Sequence, residues 1–196
     1  LGFIVAAVII SAIYIGIISK NALGDLLSGN NTDLSLNRVS EGLSQYCISV
    51  RFNPEEKTAY CKQYIDYVND TNEELNEIYV HLYPNAFRHK DKPVFPPEEL
   101  ERAYPNGFSP GEIRFENISI KDKPADFIIG GFSDNTLKIM LDESLKPDEK
   151  IRIDMEYLVL LPNSPGRFGY GENTFNFANW YPIACVYADG QWHLDP

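Results

Sequence analysis

Beyond residue 42 the apolar residues repeat with a period of two, stretch after stretch. In "SQYCISVRF", Tyr46, Ile48, Val50 and Phe52 share one side while Cys47, Ser49 and Arg51 share the other. Side chains of a strand alternate between faces, so this pattern is a strand with one buried face. "AYCKQYIDYVN" has the same character and follows the turn "FNPEEKT", which predicts a hairpin. "EELNEIYVHLYPN" sets Ile78, Val80 and Leu82 on one face, and "GEIRFENISIKD" alternates through Ile113, Phe115, Ile118 and Ile120 with a bulge at Asn117. "ADFIIGGFS", "TLKIMLD" and "KIRIDMEYLVLLP" continue as strands separated by the short turns "SDN" and "LKPDEK". No run of period 3.6 interrupts them, so these strands read as antiparallel neighbours rather than βαβ units. "PPEELERAYP" puts Pro at a helix start with Glu98 and Glu99 in the first turn, and predicts one short helix. The expected fold is mainly β: an antiparallel saddle or sandwich over residues 42–196.

The opposite end is built differently. Leu1 to Ser19 contains no charged residue. As a helix it would reach about 28 Å, near the hydrocarbon thickness of a bilayer. Its apolar residues lie all round the helix, which an amphipathic surface helix does not show. The run exceeds the usual signal-peptide core, and no A-x-A pattern follows it. A single transmembrane anchor over residues 1–20 is expected, ahead of a buried soluble helix or a signal-peptide core. Residues 21–41 are polar and rich in Gly, Asn and Ser, and read as a linker. Lys20 is the only basic residue before Arg38, so the positive-inside rule leans toward an extracytoplasmic β domain.

The formal net charge of −11 argues against a nucleic-acid partner and against docking on anionic lipid, both of which need a basic face. Cys47 and Cys61 flank the first hairpin turn. With an even register they would share a face, leaving two alternatives: a disulfide between them or two free thiols. Cys185 has no such neighbour. Asn30, Asn69 and Asn117 head glycosylation sequons, which carry meaning only in a eukaryotic secretory setting.

Catalytic motifs do not emerge. His81, His89 and His193 are not spaced as zinc ligands, and the chain holds no H-E-x-x-H, no G-x-S-x-G and no glycine-rich phosphate loop. Glu55/Glu56 and Glu98/Glu99 sit in a turn and at a helix start, where carboxylates are usually solvated. "PNSPGRFGYGENTFNFAN" reads as a long loop, a kind of segment that often carries function. The chain then closes on "NTFNFANWYPIACVYADGQWHLDP", with Phe175, Phe177, Trp180, Tyr181, Tyr187 and Trp192 crowded together. Such a stretch reads as the interior of a folded unit, and the first residue is Leu1. The sequence is therefore expected to be a piece of a longer protein.

The segments "IYVHLYPNAF", "YPNGFSPGEIRFENISI" and "RFGYGENTFNFANWYPIACVYADGQWHLDP" carry a resemblance. So does the L-x-I-x-L series Leu137–Leu141 followed by Leu145, Pro147, Glu149 and Ile151. Together, in this order from about Tyr46 to Pro196, they resemble the N-terminal β domain of bacterial zinc metallopeptidases of the aminopeptidase N type, a gluzincin family. The resemblance implies a following thermolysin-like catalytic domain, with H-E-x-x-H and a downstream Glu holding zinc. It implies no catalytic residue, metal ligand or cofactor in these 196 residues. It also sets Asn179, Trp180, Tyr181 and Pro182 near the substrate cleft or the domain junction, with a peptide substrate and the chain's own catalytic domain as partners. Two other readings stand beside it: an extracytoplasmic β-sandwich binding module on a membrane stalk, and a peptidase-like domain attached to a transporter permease.

Overall fold

A computed structural model describes residues 42–195. The expected anchor, residues 1–20, and linker, residues 21–41, lie outside the described residues. Among the described residues no helix is long and apolar enough to cross a membrane.

The alternating stretches become strands. β1 (Gln45–Asn53) and β2 (Thr58–Val68) form the first hairpin, β3 is Leu75–His81 and β4 is Glu112–Ile120. β5 (Lys123–Pro124), β6 (Phe127–Gly130), β7 (Thr136–Leu145) and β8 (Lys150–Leu160) follow. The predicted helix is a 3₁₀ turn, Pro97–Glu99, running into α1 (Leu100–Ala103). Five further short strands close the chain: β9 (Phe168–Tyr170), β10 (Phe175–Phe177), β11 (Ile183–Ala184), β12 (Val186–Ala188) and β13 (Gln191–His193).

Two antiparallel sheets carry the fold. One has the order β1-β2-β8-β4-β5 and the other β11-β3-β7-β6. Their inner faces share one core, in which Ile65, Ile153 and Met155 of the first sheet meet Ile78, Val80, Leu137 and Ile139 of the second. Each of these is at most 1% exposed, and full burial of such a side chain stabilises by roughly 1.5–3 kcal/mol. β8 is the central strand, in register with β2 from Thr58↔Leu160 to Val68↔Lys150. The bulge in β4 falls between Phe115 and Asn117. β7 and β8, consecutive in sequence, do not pair: the Lys146–Glu149 turn carries the chain from one sheet to the other.

Asn69 holds that crossover. It is fully buried, and its Nδ2 donates to the carbonyls of Glu73 and Leu145, both at 2.8 Å. Its Oδ1 accepts from the Thr71 amide and hydroxyl. Both amide hydrogens of this sequon asparagine are therefore committed within the fold, whereas Asn117 is exposed on the β4 bulge.

Register decides between the two cysteine alternatives and replaces the even pairing with an odd one. Cys47 stands opposite Tyr64, three positions from Cys61, whose own partner is Val50. An odd offset puts the two thiols on opposite faces. Cys47 is free and exposed, and Cys61 is free and buried, its Sγ 3.5 Å from the Ala59 carbonyl.

Candidate functional site

The stretch Asn179–Pro182 was the sequence's strongest candidate, and its setting follows from the segment before it. The predicted long loop folds back as the β9–β10 hairpin, with Phe175↔Tyr170 and Phe177↔Phe168 in register. Gly169, at φ 138, lets β9 lie close against the preceding Pro162–Ser164 segment, where a Cβ would strike the Ser164 and Pro162 carbonyls. From β10 the chain runs antiparallel to the inner side of β1. Phe52 takes Phe175 and Phe177 edge-on at ring separations of 4.8 and 5.3 Å. Phe177 then meets Trp180 at 5.8 Å, Trp180 meets Tyr181 at 5.5 Å, and Tyr181 meets Tyr46 at 6.2 Å. All these contacts are edge-to-face, the arrangement that the ring quadrupole favours.

The four residues divide by exposure. Asn179 is exposed and left-handed, at φ 50, a conformation that asparagine tolerates better than most residues. Trp180 is 9% exposed and belongs to the core. Tyr181 is half-buried, and Pro182 is buried.

Polar pairing fixes the segment to both sheets. The Tyr157 hydroxyl donates to Gln63 Oε1 at 2.6 Å, and Gln63 Nε2 donates to the Pro182 carbonyl at 2.9 Å. The Tyr46 hydroxyl accepts the Ala184 amide at 3.1 Å. β11 pairs with β3 through Ile183↔His81 and Ala184↔Val80, and the Cys185 amide reaches the Tyr79 carbonyl. Asn179–Ala184 thus leaves the edge of one sheet and enters the other, closing one side of the sandwich. Burial pushes the Tyr157 and Tyr46 phenols up and the Cys61 and Cys185 thiols up to about 12. These groups stay protonated at neutral pH and suit structural pairing rather than nucleophilic chemistry.

The imidazoles do not converge on an ion. His81 is buried, stacked on Tyr83 at 5.1 Å, with Nδ1 unpartnered; burial pushes its pKa down. His89 Nε2 lies 3.2 Å from Asp134 Oδ2, and His193 is exposed on β13. Among the described residues, no group of three His, Cys, Asp or Glu side chains is arranged to hold a metal. Two charge clusters have structural partners throughout. Glu112 is 6% exposed and pairs with Arg88 at 3.1 Å and with Arg114. Asp66 pairs with Arg152 at 2.7 Å and Lys150 at 3.1 Å.

Two features escaped sequence reasoning. One is a shallow surface groove between the Pro165–Arg167 turn and β10, lined by Arg167, Phe175, Asn176 and Phe177 among others. The other is the β12–β13 hairpin, whose Trp192 packs on Tyr67, Tyr79 and Tyr187. Its turn, Asp189-Gly190, has both residues at positive φ, a hairpin signal visible in the sequence.

No family model matches the chain, and no curated protein matches it. Among solved structures, a two-domain M1 zinc metallopeptidase mutant bound to L-tryptophan is similar over 59% of this chain and 19% of that chain, at 13% identity and a TM-score of 0.35. This chain therefore spans less than a fifth of that neighbour's length.

Proposed function

We propose that the chain is the N-terminal, non-catalytic β domain of a membrane-anchored zinc metallo-aminopeptidase, held outside the cytoplasm by residues 1–20. Its role is to support a catalytic domain and shape the mouth of that domain's peptide cleft. What supports the reading is the ordered series of segments quoted from Tyr46 to Pro196, which resembles that domain without a break in order. The zinc and its ligands belong to the catalytic domain. Within this reading the four cleft residues divide: Trp180 and Pro182 serve as internal supports, and Asn179 and Tyr181 are the pair left to meet the catalytic domain or a substrate.

The test is enzymatic. The complete gene product should hydrolyse aminoacyl-p-nitroanilides, lose that activity to 1,10-phenanthroline and regain it with zinc. The 196-residue chain should be inactive. A complete reading frame that lacks H-E-x-x-H beyond Pro196, or hydrolysis indifferent to the chelator, would refute the assignment.

A further inference from the structure

The edge of a sheet leaves backbone donors and acceptors unpaired, and folded proteins blunt most such edges. Here β5 and β11 are only two residues long, and Pro124 of β5 has no amide hydrogen to offer. β1 turns Cys47, Ser49 and Arg51 to its exposed side. β6 has no such protection. It is the outer strand of β11-β3-β7-β6, and no charged residue occurs from Phe127 to Ser133. Phe127 is 40% exposed, Ile128 56%, and Phe132, in the turn that follows, 71%. Of the seven exposed large apolar side chains among the described residues, these three fall within six positions, so they form a patch rather than scattered singles.

The ladder with β7 fixes which backbone groups of β6 are free. The Met140 amide donates to the Asp126 carbonyl at 3.0 Å, and the same register continues from Phe127↔Ile139 to Gly130↔Thr136. Hydrogen-bonded and non-hydrogen-bonded pairs alternate along an antiparallel ladder. Ile128 and Gly130 therefore bond to β7, while Phe127 and Ile129 turn both N–H and C=O outward. Among the described residues no hydrogen bond reaches these four groups from beyond β6. Free groups aligned at i and i+2 are met by another strand, not by a loose apolar side chain.

We infer that β6 pairs antiparallel with β6 of a second copy of this chain, about a two-fold axis at Ile128. In this register Phe127 of each copy stands opposite Ile129 of the other, so the outward groups meet in four N–H···O=C bonds, and Ile128 faces its own copy in the close pair between them. The two four-stranded sheets become one continuous sheet. Charge fits this occupant. Asp126, which precedes the strand, falls opposite the uncharged Gly130 of the other copy, and the two Asp126 residues end roughly 14 Å apart, beyond a Debye length at physiological salt. Gly130 leaves room there, with nothing within 4 Å of where its Cβ would sit. Phe127, Ile128 and Phe132 together offer roughly 300 Å² per copy, taking about 200 Å² for each whole side chain. A stable interface needs about 800 Å² per partner, so this dimer is weak and its population rises with concentration. The contact uses residues of this chain alone and does not depend on the aminopeptidase reading.

Cysteine crosslinking reads the register, on the full 196-residue chain in detergent micelles with the exposed thiol removed throughout by Cys47→Ser. Ile128→Cys should close a disulfide dimer under mild oxidation, because the facing Cα atoms stand about 4.5 Å apart, within the roughly 7 Å that a disulfide spans. Asp126→Cys and Gly130→Cys alone should each dimerise at least about tenfold more slowly, since each lies roughly 14 Å from its own copy. Mixed together, those two variants should crosslink to each other at a rate like that of Ile128→Cys. Adding Ile128→Lys to the mixture sets like charges face to face and should abolish the crosslink. Ile128 is exposed, so its variants are expected to unfold like the parent, which a thermal scan verifies. Equal rates at all three positions would show unspecific clustering, such as the apolar run Leu1–Ser19 could drive, and would overturn the proposal. So would an Ile128→Cys protein that stays monomeric, or a mixture that crosslinks no faster than its components.

Discussion

Gln63→Leu should loosen the aromatic closure more than any surface change in the same strand. Gln63 is 3% exposed and bridges the Tyr157 hydroxyl to the Pro182 carbonyl. Leucine keeps most of the volume and removes both hydrogen bonds. That leaves a phenol and a carbonyl unpartnered in the core, at roughly 1–3 kcal/mol each. The Cys61 thiol, which stands opposite Tyr157, is only a weak acceptor, so it recovers little. The expected loss is about 2–6 kcal/mol, or roughly 4–24 °C in Tm for a domain of this size. Tyr157→Phe orphans only Gln63 Oε1 and should cost about 1–2 kcal/mol. The double variant has nothing left to orphan between those two positions. It should therefore be less destabilised than the sum of the singles by about 1 kcal/mol or more. Urea unfolding followed by tryptophan emission gives the energies, and hydrogen exchange at the Ala184 and Cys185 amides reports whether β11 has detached. A Gln63→Leu protein within about 0.5 kcal/mol of the parent, or strictly additive singles, would refute the bridging role.

Three further outcomes follow from the packing and pairing described above. Native protein should react with a thiol reagent at Cys47 alone, because burial holds Cys61 and Cys185 protonated; in denaturant without reductant all three should react, and a count of one would restore the disulfide. Asp66 is held below the usual carboxylate range by the Arg152 guanidinium, helped by Lys150 against the opposing effect of burial. Its folded pKa is depressed, so its contribution is fully present above the unfolded value of about 3.9 and fades as pH falls through the folded value; Asp66→Asn should flatten the fall in Tm below about pH 4, and an unchanged acid limb would count against the pair. Gly169→Ala should cost about 2 kcal/mol or more because its Cβ would strike two carbonyls, whereas Gly107→Ala, at φ +87 with nothing within 4 Å, should cost only about 1 kcal/mol of left-handed strain; equal Tm losses would show that the contact of β9 with the Pro162–Ser164 segment yields.

The parts legible in the sequence are those where one face of a strand is buried over several residues. β1, β2, β3, β4 and β8 repeat their buried side often enough that period two dominates any local preference. The β4 bulge is legible for the same reason, since it shifts the phase of Ile113 and Phe115 against Ile118 and Ile120. Alternation says nothing, however, about which sheet a strand joins. β7 and β8 look like a hairpin because a short turn separates them, yet Asn69 pins that turn as a crossover by reaching Leu145 from the β2–β3 connection. Cys47 and Cys61 turn on a finer point: the parity of two residues across a hairpin depends on the exact pairing, and the four-residue turn gives Asn53↔Thr58, which sets Cys47 against Tyr64. β9 and β10 are three residues each, too short for any period to register.

The site shows a deeper limit of the same kind. "NWYP" drew notice because Trp and Tyr are large and amphipathic, a property shared by residues that meet a ligand and residues that seal a seam. What separates the two uses is where the polar partners are, and those lie over a hundred residues earlier. Gln63 reaches the Pro182 carbonyl across 119 positions, and Tyr46 reaches the Ala184 amide across 138. No local pattern contains that information. An aromatic cluster seen in a sequence thus weighs equally toward core and site.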